Sequence, residues 1–551
     1  QQEPVTIIIT AEGDGFEIKE PVQTLLLPPM GDSTENAYFQ VRPLHQSASD
    51  KDLASIRIRA YYKFNLLEVS VIQAEVVGKF DNSSQSKLGL EKPISFRQER
   101  LEREYLDFDE VQPKAMHIDI IKENERFLFN FAFYNNLAQK VEFTAPIYLP
   151  TPDLEDALLT IRETWYDIAM SKTFTERVEG DDEEFLANIR RLAQAGRNLW
   201  VKLFQLDSDS SMHKVGKWLE DNPLQKGAII QVSLADNATD FVFPWALIYD
   251  RKVPKKHYEL PDPEGFWGLR YCIEQQLSNQ NKGTDKPVQI QDKLRVGFML
   301  WAQFRNADEQ KVLMENWTQR NPDKLEITIP PITDADDCSA LLDDCDAHIL
   351  YFYTHGYTRN RQADIGVGEN LQLFTNRYEK LQEDDPRHEL WKFLYDSVKQ
   401  DKFEPNRSWI ELTYGRLYLD ELYDNIESKF SSEPLVFLNM CESAQITPSL
   451  SQSFIHFFIE RGAKGVIGTE CPRTVEFAHP FSEKFLGDLL AGETVGNALL
   501  NARSHFMKLK NPLGLAYTLF GSATTCFQPA ILKPLTMPAT NNVSTESSSD
   551  P

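Results

Sequence analysis

The chain has 551 residues, 41% of them hydrophobic, which is enough for two to four domains with cores of their own. Its 83 acidic and 58 basic residues give a net charge of −25, which argues against nucleic acid or an anionic membrane as the main partner and reads mostly as a solvated acidic surface. No apolar stretch approaches the roughly 20 residues that span a bilayer, and the six Cys include neither a Cys-x-x-Cys pair nor a disulfide framework.

The first residues lack the basic segment and apolar core of a signal peptide, and the missing Met points to a trimmed chain. Cys272, Cys338, Cys345, Cys471 and Cys526 read as reduced, mostly buried thiols, which suits a cytoplasmic setting.

Residues 1–148 read as β-rich. Val5–Thr10, Ser55–Tyr62, Leu67–Ile72 and Phe127–Phe133 are strand-like, several of them alternating apolar and polar residues as strands with one solvated face do. Pro28-Pro29, Gly31-Asp32 and Asp81–Ser84 mark turns. The expectation is a β-sandwich-like domain that binds or regulates, since no catalytic cluster stands out in it.

Residues 150–292 form a second, non-catalytic region. Leu154–Ala169 and Asp182–Phe204 carry apolar residues at helical spacing, and Ile229–Ser233 reads as a strand. From 293 to 530, strand and helix patterns alternate. Strands are expected at Leu294–Trp301, Leu325–Pro330, Ala347–Thr354, Leu435–Met440, Lys464–Thr469 and Leu515–Phe520, with helices between them. That order predicts right-handed crossovers and an α/β doubly wound sheet. Residues 359–411 are too many for an ordinary connection and read as an insertion beside the functional edge. The tail 531–551 is polar and expected to be disordered.

The apolar run ending at Thr354 is followed by His355-Gly356, and the run ending at Met440 by Cys441-Glu-Ser-Ala444. Ligands of open α/β sheets bind beyond the carboxyl ends of the strands. A thiol and an imidazole delivered to that edge by two strands make the nucleophile and base of a cysteine hydrolase. The imidazole would take the thiol proton and then protonate the leaving amine. The backbone N–H groups of Gly356 and Cys441 are the expected oxyanion donors. A strand-end histidine and a buried thiol with no joint role would give the same letters singly; their common placement favours chemistry.

The same residues resemble the catalytic strands of the CHAT family of caspase-like cysteine peptidases. Arg416-Leu-Tyr-Leu-Asp-Glu-Leu422 resembles the family's helix entry before the Cys strand. Arg461–Thr469, Gly492–Leu499 and Leu515–Gly521 resemble the segments that follow, and Phe243–Asp250 with Gly265–Tyr271 the N-terminal half. The resemblance spans about residues 150–530, and it implies a caspase-like fold with His355 as base and Cys441 as nucleophile. It also implies limited, signalling-type proteolysis of a partner protein, in settings such as bacterial antiviral defence or cell death with gasdermin-like effectors. Two departures concern specificity: Cys471 stands where the family often has Trp, and Thr474 and Val475 stand at often acidic positions.

Glu442, Glu470 and Glu476 lie on or near the edge, and a carboxylate there would bind Arg or Lys before the scissile bond. Glu470 is favoured because it follows a strand directly, but a solvated or ion-paired loop acid explains each of them as well. No cofactor is expected: no His, Cys or carboxylate group has metal spacing, and no Walker-type loop occurs. The expected partners are a protein substrate and a protein activator or regulator acting through the N-terminal domain. A catalytically silent scaffold and a hydrolase of non-protein substrates remain open.

Overall fold

The computed structural model describes residues 3–14, 16–30, 33, 35–43, 53–75, 95–101, 111–123, 126–135, 140–143, 147–169, 171, 173–174, 177–205, 211–235, 238, 241, 243–277, 287–357, 407–442, 449–469 and 475–532. The expected tail and most of the 359–411 insertion lie outside the described residues.

The first strands are β1 (Val5–Asp14), β2 (Phe16–Lys19), β3 (Val22–Leu27), β4 (Gln40–Pro43), β5 (Leu53–Tyr62), β6 (Asn65–Glu75) and β7 (Ser95–Leu101). They form an antiparallel sheet in the order β3-β1-β5-β6-β7, with β2 and β4 paired separately.

The next strands are β8 (Met116–Glu123), β9 (Arg126–Asn135), β10 (Lys140–Phe143) and β11 (Ile147–Pro150). They belong to a different sheet, because β8 pairs in parallel with β12 (Ile229–Leu234). The strands of 1–148 are thus shared among a five-stranded sheet, the β2–β4 pair and the long sheet that β12 continues, rather than forming a unit of their own. The polar positions His117, Asp119 and Asn130 of β8 and β9 are buried. Asp119 receives the Arg59 guanidinium of β5 at 2.9 Å, and His117 meets Ser233 Oγ at 2.9 Å. The alternate positions Phe129 and Phe131 pack on Phe241 and Phe204 instead.

The second sheet continues with β13 (Cys272–Leu277), β14 (Val288–Gln289) being a separate short strand paired elsewhere. Then come β15 (Leu294–Leu300), β16 (Leu325–Ile327), β17 (Ile349–Tyr357), β18 (Trp409–Glu411), β19 (Arg416–Tyr418), β20 (Leu435–Glu442), β21 (Gly465–Thr469) and β22 (Tyr517–Gly521). The sheet order is β10-β9-β8-β12-β13-β22-β21-β20-β17-β15-β16. Strands β8, β12, β13 and β22 run parallel to one another, as do β21, β20, β17, β15 and β16. The two blocks meet antiparallel at β21 and β22. The sheet is thus mixed, where unbroken parallel winding was expected. The final strand reverses because the helices Val475–Leu490 and Val495–Lys508 lie between it and β21, and a pair of helices returns the chain to the opposite edge.

The motifs at 243–250 and 265–271 pack together on the helix side of the first block. Asp250 accepts Trp267 Nε1–H at 3.0 Å and pairs with Arg270. Burial pushes the Asp250 carboxyl up against the opposing pull of Arg270. Gly265 is required here, since a Cβ would lie 2.2 Å from the Tyr249 ring.

Candidate active site

β17 and β20 are neighbours, and their register pairs His355 with Cys441 and Gly356 with Glu442. Adjacent strands lie about 4.8 Å apart. The two sequence-expected positions therefore stand side by side at the carboxyl ends of parallel strands. Strand parity agrees: Phe437 and Asn439, of the same parity as Cys441, meet Tyr351 on β17, of the same parity as His355.

His355 is 7% exposed. Its imidazole is flanked by Trp301, at 4.3 Å between centroids and 70°, and by Phe304, at 4.5 Å and 58°. Both rings come from the segment just after β15. That segment is tied down by Tyr353 O–H donating to Asn306 Oδ1 at 2.6 Å, and by Asn306 Nδ2 donating to the Val475 carbonyl at 2.9 Å. Beneath the pair, Asn439 Nδ2 donates to Tyr351 Oη and to the Ala478 carbonyl, each at 3.0 Å. Tyr517 O–H donates to Asn439 Oδ1 at 2.7 Å.

β20 outruns its pairing with β21, which ends at Phe437↔Ile467. Among the described residues, the Cys441 end of β20 is paired on the β17 side alone. On the far side of His355, β18 and β19 form a hairpin whose first strand pairs antiparallel with β17, with His355 opposite Glu411 and Gly356 opposite Ile410. The last residues of the expected insertion are thus part of the sheet. Arg416-Leu-Tyr418, read as helix entry, is strand β19, and the helix begins at Leu419.

Gly356 is an extended strand residue with a paired strand on each side. It is not among the residues with positive φ. Glu476 is not a free carboxylate: it pairs with Arg305, and its side chain is 19% exposed. Glu442 occupies the β20 position opposite Gly356. Glu470 and Cys471 lie outside the described residues.

Cys272, Cys338, Cys345 and Cys526 are buried and free. Burial pushes all four thiols up, Cys272 to about 11, which removes thiolate at neutral pH. Among the described residues no three His, Cys, Asp or Glu side chains converge as a metal site, and no helix is long and apolar enough to cross a membrane.

Sequence reasoning missed Trp301, Phe304 and Glu411. The Trp301-Ala-Gln-Phe304 step directly after a strand was a readable cue for rings folding over the edge. The Trp409-Ile-Glu-Leu-Thr-Tyr-Gly-Arg-Leu-Tyr418 stretch carried a hairpin pattern closed by Gly415, at φ +93°.

Residues 304–527 match the CHAT domain. Over 169 residues, 29% of this chain, the sequence is 32% identical to a protein of Vitiosangium sp. named "probable protease", and the match covers 22% of that protein. The matched part is thus about a fifth of that relative's length. Among solved structures, the Arg-specific cysteine proteinase gingipain R aligns over 63% of this chain and 77% of its own, at 7% identity and a TM-score of 0.28. A score that low bears on neither fold nor activity.

Proposed function

With residues 304–527 a CHAT domain, a family of caspase-like peptidases, we propose that this chain is a cysteine endopeptidase with Cys441 as nucleophile and His355 as base. The observation that carries the reading is the direct register of His355 with Cys441 at the carboxyl ends of two parallel strands. In the reaction, His355 takes the Cys441 proton and the thiolate attacks the scissile carbonyl. The backbone N–H groups of Gly356 and Cys441, at the ends of the two strands, hold the oxyanion. His355 protonates the leaving amine, and water then hydrolyses the thioester with His355 as base. The substrate chain would enter between β20 and β21.

The finer reading follows the same site. Proteolysis is limited and of the signalling type, directed at one or few partner proteins in an immune or cell-death system, with a gasdermin-like effector as one such substrate. The N-terminal sheet recruits the activator. Glu470 is the carboxylate assigned to a basic residue before the scissile bond, with Glu442 as a second candidate. Glu476, already paired with Arg305, is the weakest of the three.

Incubating the full chain with a peptide library tests this. Cleavage should vanish in both Cys441→Ala and His355→Ala; cleavage that persists in either removes the mechanism. Equal turnover of Arg and Leu substrates, or no change in Glu470→Gln, removes the basic preference.

A further inference from the structure

The register extends past the His–Cys pair. Cys441 lies opposite His355, His355 opposite Glu411, and Glu411 opposite Arg416, so four adjacent strands (β20, β17, β18 and β19) carry a single row: thiol, imidazole, carboxylate, guanidinium. Directly opposed residues of an antiparallel pair share a face, with Cβ atoms about 4.5–5.5 Å apart. Glu411 is thus the cross-strand neighbour of His355 on the side away from Cys441. Its Oε2 accepts Arg416 Nε–H at 2.6 Å, and the two side chains are 17% and 10% exposed. Arg416 is itself seated over the Trp409 ring, 4.4 Å from its centroid. A carboxylate has about four acceptor sites, so it can take an imidazole N–H alongside a guanidinium.

Resting on the cysteine-peptidase reading, we propose that Glu411 is the positioning residue of His355 and that Arg416 holds Glu411 ionised and in place. The carboxylate fixes the imidazole from behind and stabilises its protonated form once the thiol proton has been transferred. Trp301 and Phe304 confine the ring from the flanks but cannot supply that charge. The charged groups on the elements around His355 are Glu411 and Arg416 of the hairpin, the mutually paired Arg305 and Glu476 at the rim, and Glu442 at the end of β20. The last three are unchanged in the variants below.

The test is the pH dependence of Cys441 alkylation by iodoacetamide in the full chain, followed by peptide mass spectrometry. In the native protein the midpoint should lie well below the ordinary thiol value of about 8.5. Glu411→Gln should raise it by about one unit, which slows labelling about tenfold below the midpoint, and Glu411→Asp should restore part of the shift. Arg416→Gln should raise the midpoint as well, by less than Glu411→Gln, because the carboxylate loses the guanidinium that holds it ionised and in place; it is also the fallback if Glu411→Gln does not fold. A purely structural Glu411 would lower the melting temperature and leave the midpoint in place, which overturns the inference while the peptidase reading stands. An unmoved or lowered midpoint in Arg416→Gln overturns it equally. An ordinary thiol midpoint in the native protein overturns both readings.

Discussion

Replacing Asn439 by Ala should loosen the sheet directly under the candidate site. Asn439 is fully buried two residues before Cys441. Its amide satisfies three groups at once: Tyr351 Oη, the Ala478 carbonyl and the Tyr517 hydroxyl, at 3.0, 3.0 and 2.7 Å. Truncation takes a hydrogen-bond partner from all three. Each buried polar group left without a partner costs about 1–3 kcal/mol. The hydroxyls can turn and the vacated volume can admit a water, so the total should fall near the lower bound, about 3–5 kcal/mol. That is a large part of the ~5–15 kcal/mol that holds a typical domain folded.

Tyr517→Phe is the matched comparison. It keeps the stack with Phe481, at 3.7 Å and 4°, and orphans Asn439 Oδ1 alone, for about 1–2 kcal/mol. Since both changes break the same bond, the double variant should cost less than their sum by about 1 kcal/mol. Hydrogen exchange of the β17 and β20 backbone amides reads the local loss without assuming that the whole chain unfolds as one unit. A cost under about 1 kcal/mol for Asn439→Ala, or strict additivity with Tyr517→Phe, would refute the account of a shared network.

Two further outcomes follow from buried charge. His348 Nδ1 accepts the Arg295 backbone N–H at 3.0 Å, and burial, helped by the Arg295 charge, holds the imidazole below its ordinary pKa. The unfolded chain then binds the proton more readily, so this contribution to stability is present above about pH 6.5 and is lost as the pH falls through that value. Burial lowers His479 in the same direction. Melting temperature should drop from pH 7.5 to 5.5, less so in His348→Gln; an identical slope in that variant would count against the assignment. Separately, Arg59→Met strands the carboxylates of Asp119 and Glu12 in the junction between the two sheets, at 0% and 15% side-chain exposure. Breaking such a pair costs about 3–5 kcal/mol, so limited proteolysis should release the N-terminal sheet first; protection equal to the native chain would contradict this.

The strands bearing His355 and Cys441 were legible because a strand covered on both faces needs nearly continuous apolar residues, and Ile349–Tyr353 and Leu435–Leu438 supply them. What was illegible depended on partners remote in the chain. His117, Asp119 and Asn130 alternate like solvent-facing residues, and only the arrival of Arg59 and Ser233 reveals them as buried. Likewise nothing local to Tyr517–Gly521 says that its neighbour β21 runs the other way. Glu411 is a lone acid between apolar residues until β18 docks on β17, and nothing local shows that His355 stands opposite it.

The hairpin is fastened to the scaffold by its own bonds, and this determines how the long segment between β17 and β18 can be removed. Thr413 Oγ1 accepts the Ala302 N–H at 2.7 Å, and the Tyr414 N–H donates to the Thr333 carbonyl at 2.9 Å. Tyr357 and Trp409 are register partners, so the chain leaves and re-enters the sheet at neighbouring points that a hairpin turn of a few residues can bridge. Excising residues 360–405 with a short Gly/Ser joint should therefore keep the sheet and the Cys441 labelling profile. Excising 359–411 also removes β18, strips the carboxylate from Arg416 and leaves residues 355–357 without the β18 ladder. That longer deletion should both destabilise the chain and raise the labelling midpoint. Equal behaviour of the two deletions would mean that the hairpin is no part of the frame that holds His355.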